Sequence, residues 1–220
     1  LVHSFICVWN THKQTLKTDK PLTEKPPSEI KNKSRVVTST GTDKNEITRT
    51  LITRIRSSKK RVWLTSPYFI SSWKIRRALR YAANKGVDVR LIFPGPYSDH
   101  QWVTYGIQRY YQRLLKANVA VYEFQPRFTH TKVILCDDWF TIGSSNFDLW
   151  NQFLNLDANI EIYDRQSCLK IIELFESNFS KSTLILLSRW NTRPLLQRIK
   201  EWISGLMIKV LRAIGSKFKR

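Results

Sequence analysis

HTKVILCDDWFTIGSSN occupies residues 130–146. It reads as two short strands, 131–136 and 139–142, joined by an acidic turn. Side chains two apart on a strand share a face. His130 and Lys132 therefore point the same way, while Val133 and Leu135 can enter a core. An imidazole beside an ammonium group suits an oxyanion such as phosphate. Lysine neutralises nonbridging oxygens, and histidine attacks phosphorus or moves protons. Gly143 permits a sharp turn and close backbone approach. Ser144, Ser145 and Asn146 then add neutral hydrogen-bonding groups. A lone His-x-Lys at a strand edge is usually surface, and Gly-Ser-Ser-Asn alone is usually a turn. Their joint order and spacing make geometric sense together and support a candidate phosphate site, with chemistry suited to a phosphodiester without metal.

Working outward, RVWLTSPYF (61–69) reads as a buried strand closed by Pro67. Ser72 is a candidate N-cap for a helix through about Asn84, and Gly86 ends it. VDVRLIF (87–93) alternates as a strand. A helix over about 100–117 leads to the strand VAVYEF (119–124). Downstream, a strand at 158–163 precedes a helix at about 166–179. Ile47, Leu51, Ile52 and Ile55 have helical spacing, so order is expected from about Asn45. Strands alternating with helices, then clustered strands, predict an α/β sandwich with a mostly parallel or mixed sheet.

Before that, residues 11–33 are polar and lysine-rich, with Pro21, Pro26 and Pro27, as in a linker. VHSFICVW (2–9) reads as the end of an upstream element. Leu1 is not a start methionine, which points to a processed or partial chain. The expected organisation is an upstream end and linker over 1–44, a domain over 45–182 and a basic tail over 183–220.

The net charge of +20 over 220 residues implies an anionic partner, either nucleic acid or an anionic membrane. Cys7, Cys136 and Cys168 are odd in number and irregular in spacing. They predict unpaired thiols, a reducing compartment and no zinc site. Leu184–Leu187 is far too short an apolar run to span a bilayer. In the tail, Leu195, Ile199, Trp202, Ile203, Leu206, Val210 and Ile214 fall on one helical face. Arg198, Lys200, Lys209 and Arg212 lie off its centre, and Lys217, Lys219 and Arg220 extend the charge. Two readings stand: a helix lying flat on an anionic membrane, which is favoured, or a helix packed on the domain.

His130-x-Lys132-x4-Asp137, followed by Gly143-Ser144-x-Asn146, resembles the HKD signature of the phospholipase D superfamily. SPYFI (66–70), KGVDVRLIFPGPYSD (85–99), YYQRLLKANVAVYEFQP (110–126) and RWNTRPLLQRIKEWI (189–203) are similar to the second half of bacterial cardiolipin synthases. The resemblance implies a phospholipase D-like α/β/α sandwich with a mixed sheet, plus a C-terminal amphipathic basic helix. It implies a phosphatidyltransferase that works through a phosphohistidine, without cofactor or metal, on phosphatidylglycerol-like lipids.

The implied catalytic residues are His130, Lys132 and Asp137, with Asp137 supporting the loop. Lys132, Ser144 and Asn146 are implied to bind the substrate phosphate. Five residues separate Asp137 from Gly143 where the family commonly has six, a difference that a shortened hairpin absorbs. Asp157 stands where the family commonly has a histidine-orienting glutamate, with a shorter reach. The family's site uses two HKD motifs, and this chain has one. The second is expected from a homodimer mate or from a missing N-terminal half. The implied location is peripheral, on the cytoplasmic side of a membrane. The alternative is a homodimeric phosphodiesterase or nuclease, with nucleic acid as partner. A basic scaffold without activity ranks third.

Overall fold

The computed structural model describes residues 34–39, 46–147 and 157–217. The expected upstream end and lysine-rich linker over 1–33, and Lys219 and Arg220, lie outside the described residues. So do the side chains beyond Val210.

Strands β1 (Ser34–Ser39), β2 (Arg61–Thr65), β3 (Asp88–Pro94), β4 (Ala120–Phe124), β5 (Val133–Cys136), β6 (Trp139–Gly143), β7 (Asp157–Ile162) and β8 (Ser182–Leu184) form one sheet. Their order is β1-β7-β6-β5-β2-β3-β4-β8. The β2, β3 and β4 strands pair in parallel, and all other neighbours are antiparallel. The helices are α1 (Glu46–Ser57), α2 (Trp73–Asn84), α3 (Gln101–Gln108), α4 (Tyr111–Leu115), α5 (Arg165–Ser180), α6 (Leu187–Asn191) and α7 (Leu195–Lys217). The fold is the mixed α/β sandwich read from the sequence.

Alternation along the central strands builds a core on each face of the sheet. Val62, Leu64, Val89, Leu91, Ile134 and Cys136 face a layer that includes Ile55, Ile75, Leu79 and Ile107. Trp63, Ile92, Val133 and Leu135 face the other way, where α5 supplies Cys168, Phe175 and Phe179. Ser72 caps α2 by accepting the amide of Ile75 at 3.3 Å.

Three elements depart from the sequence reading. The β1 strand lies ahead of Asn45, where no ordered element is expected. SRVVTS buries one large apolar side chain, Val37, too few for an alternation signal. It is held by β7 and by Arg35, whose Nε meets the buried Glu161 at 2.7 Å while Nη1 meets Glu46 at 3.1 Å. The helix expected over 100–117 is two helices with a tight turn at Arg109–Tyr110. The break lets Tyr111 enter the core, stacked on Phe93 and packed on Trp190. Finally, β8 adds a three-residue edge beside β4 that the apolar run 184–187 does not announce.

Candidate active site at the end of the sheet

The register places the site. Thr65 pairs with Val133, Val133 with Ile142, and Gly143 with Asn159. One step further along the same lines sit Ser66, Lys132 and Ser144. The end of β2, the start of β5, the end of β6 and the start of β7 therefore meet at one margin of the sheet. This is also the carboxyl end of the parallel strands, where open α/β sheets characteristically bind ligands.

Lys132 is buried and His130 is exposed. The Lys132 Nζ lies 3.0 Å from Nδ1 and 3.1 Å from Nε2 of His130, and donates to the His130 carbonyl at 3.0 Å. An ammonium group has hydrogens but no lone pair, so the imidazole beside it is favoured in its neutral form. Burial and the Lys132 charge hold the His130 pKa below its ordinary 6.5, with Asp99 opposing them. A neutral imidazole is the nucleophilic form.

Gly143 lies against β7 so closely that a Cβ there would sit 2.2 Å from the Ala158 carbonyl oxygen. The following residues fasten the turn to the same strand. Ser144 Oγ donates to Asp157 Oδ1 at 2.7 Å and accepts from the Ala158 amide at 3.1 Å. The Ser145 amide donates to Asn159 Oδ1 at 3.2 Å. Ser66 Oγ donates to the Asn146 carbonyl at 2.7 Å, which ties the turn to the end of β2. Asn146 Oδ1 and Asp157 Oδ2 are buried with no hydrogen-bond partner. Burial raises the pKa of Asp157, although Ser144 and the Lys132 charge both oppose this.

His130, Lys132, Ser144, Asn146 and Asp157 thus belong to this margin. The Asp157 carboxylate is held by Ser144, whereas the sequence reading pairs it with a histidine. Asn155, which opens the Asn-x-Asp-x-Asn segment, lies outside the described residues. Asp137 is not brought in. It follows β5 at the opposite end, and at about 3.3 Å per residue it is roughly 15 Å from Lys132. Its carboxylate accepts the amides of Lys59, Lys60 and Arg61 at 2.8, 2.9 and 2.9 Å. That is the loop-supporting part of its expected role.

Sequence reasoning missed the wall around His130. The Tyr68 ring lies 5.9 Å from the imidazole, edge-on, and Phe128 lies 6.0 Å away. Tyr68 Oη donates to Asp99, and His100 tilts over Tyr68. Tyr68 follows β2, and Asp99 follows β3. Polar residues just past the ends of parallel strands were the available signal.

Residues 51–181 match the family model described as "Cardiolipin synthase, PLD-like domain". The chain is 37% identical over 158 residues to cardiolipin synthase 2 of Bacillus anthracis, covering 71% of this chain and 30% of that protein. It is 32% identical over 212 residues to cardiolipin synthase 1 of Staphylococcus epidermidis, covering 94% of this chain and 43% of that protein. It therefore spans less than half the length of these relatives. Among solved structures, it resembles phosphatidylserine synthase of Haemophilus influenzae, with TM-score 0.64, 15% identity and coverage of 84% and 46%. It also resembles the phospholipase D family member Nuc of Salmonella typhimurium, with TM-score 0.58, 18% identity and coverage of 70% and 97%. With more than half of its length matched by the family model, the chain belongs to the cardiolipin synthase, phospholipase D-like family.

Proposed function

We propose that this chain supplies one half of a phosphatidyltransferase site of cardiolipin synthase type, acting peripherally on anionic phospholipid at the cytoplasmic face of a membrane. The observation that carries the reading is the exposed imidazole of His130 held against the buried ammonium of Lys132. In the first step, a His130 nitrogen attacks phosphorus, and the bond from phosphorus to the leaving glycerol oxygen breaks. A second histidine, from another HKD motif, gives that oxygen its proton. In the second step, a hydroxyl of a phosphatidylglycerol-like lipid attacks phosphorus. The P–N bond breaks, and the second histidine takes the hydroxyl proton. Lys132 balances the nonbridging oxygens as charge gathers on them. Asn146 and Ser144 line the phosphate position.

The cardiolipin synthase relatives support the substrate class. The need for a second motif agrees with fold coverage: one unit accounts for 97% of Nuc but 46% of phosphatidylserine synthase. The second unit would be a homodimer mate or an N-terminal half.

Incubation with phosphatidylglycerol vesicles, followed by mass spectrometry of the lipids, tests the proposal. Cardiolipin is expected from the paired species and not from its His130→Ala variant. Cardiolipin formed equally by both would remove His130 from the chemistry. Hydrolysis of a DNA substrate in place of lipid transfer would favour the phosphodiesterase alternative, which the +20 charge also suits.

A further inference from the structure

Helix α7 is seated the opposite way round from an ordinary surface helix. Its buried residues are Glu201, Ser204, Gly205 and Ile208. These recur at three- and four-residue spacing and meet α3. Contact is close because glycines lie in it: a Cβ on Gly106 would fall 2.2 Å from Ile208 Cδ1, and one on Gly205 would fall 2.2 Å from Arg109 Nη1. Glu201 is neutralised by Arg193, at 2.7 and 2.8 Å. The seat is thus made of small and polar groups around one core side chain, Ile208.

The large apolar side chains point away from it. Leu195, Ile199, Trp202, Ile203, Leu206 and Val210 are all exposed, Trp202 to 60%. At about 100° per residue they fill an arc of roughly 100° centred opposite the seat. Arg198 and Lys209 fall on one margin of this arc and Lys200 on the other. Glu201 is the sole acid of α7, and it is turned into the seat. The outward surface described here therefore carries apolar groups and cations, and no carboxylate.

We infer that the outward face of α7 docks on an anionic phospholipid bilayer, with its apolar arc among the acyl chains and its cationic margins at the headgroups. No described helix is long and apolar enough to cross a membrane. The arrangement suits a helix lying in the interface plane. Charge complementarity selects this occupant. A second copy of the same face would set cations against cations around the apolar contact, whereas anionic headgroups satisfy both margins. Nucleic acid would use the cations and leave the apolar arc in water. The inference deepens the phosphatidyltransferase reading by naming the surface that brings the chain to its lipid, and it rests on that reading for the choice of phosphatidylglycerol.

Cosedimentation with vesicles of phosphatidylcholine, with and without phosphatidylglycerol, tests it. The chain is expected to bind the mixed vesicles, with binding weakened by salt. Ile203→Glu with Leu206→Glu should weaken it at least about tenfold. Arg198→Glu with Lys209→Glu should remove the preference for anionic vesicles. Both pairs are exposed, so circular dichroism and Tm should stay those of the parent. Leu169→Glu, an exposed apolar position on α5, should bind as the parent does. Equal binding by the Ile203/Leu206 variant would overturn the inference. So would loss of a vesicle-independent oligomer in that variant, which would assign the face to a second copy. Turnover of phosphatidylglycerol in detergent micelles separates the two proposals. Vesicle binding by a species shown to hold two motifs, without micellar turnover, counts against the transferase reading alone. Micellar turnover with vesicle binding insensitive to α7 counts against the docking surface alone.

Discussion

Lys132 is buried beside His130, and its charge bears on the protonation state of that imidazole. The His130 pKa is lowered by burial and by the Lys132 charge, and raised by Asp99. Titration of His130 by NMR, with His130→Ala identifying the resonance, should give a midpoint below 6.5. Asp99→Asn removes the opposing influence and should move the midpoint lower still. Lys132→Met should move it up. A midpoint above 6.5 in the parent would mean that another anion faces the ring. Asp137 belongs to a different problem. It has φ 51° and accepts three amides of the α1–β2 connection. Asp137→Ala loses these bonds and places alanine in the left-handed region, costing about 2 kcal/mol. In a chain of this size that lowers Tm by roughly 4–8 °C. Asp137→Asn should recover most of it. The HKD spacing reveals that this aspartate matters, but not that it acts at the far end of a strand.

Among the elements, those with strong periodicity were legible. RVWLT declares itself as a buried apolar run closed by Pro67, VDVRLIF by alternation, the two strands of 131–142 by short apolar runs on either side of an acidic turn, and α2 by its Ser72 cap. What was hidden depends on partners distant in sequence. The β1 strand exists because β7 offers it an edge and Glu161 draws in Arg35. The α3–α4 break exists because Tyr111 has a fully buried place beside Phe93 and Trp190. The site shows the same division. His130, Lys132 and the Gly-Ser-x-Asn turn can be read from local pattern, whereas Tyr68 and Asp99 join them only once β2 and β3 lie side by side. Gly143 is a sensitive joint between β6 and β7. Gly143→Ala drives a Cβ into the Ala158 carbonyl, which is backbone and cannot swing away. A loss of about 1–3 kcal/mol in stability is expected from denaturant unfolding. Lipid turnover should fall with it, since the Ser144–Asp157 contact must lengthen.

The whole molecule carries one HKD motif on one sheet, in a chain spanning less than half of its curated relatives. Turnover should therefore depend on assembly. Size-exclusion fractions assayed for cardiolipin formation should show activity only in species with two motifs, and a monomer with full activity would refute the two-histidine scheme. The charge of +20 was legible from composition, but its use was not. The tail periodicity posed membrane docking and packing on the domain as alternatives. The structure seats one face of α7 on α3 and leaves the apolar face outward, so packing accounts for one side of the helix only.

The β5–β6 hairpin turns at the end remote from His130. The interval from aspartate to glycine is counted the long way, out along one strand and back along the other. The site is closed the short way, across neighbouring strands at the opposite margin. A residue gained or lost at the bend changes the count without changing the distance that chemistry uses. Length variation at Asp137–Asp138 is thus uncoupled from the spacing of His130, Lys132 and Ser144, and a family resemblance scored by fixed intervals undervalues chains that differ there.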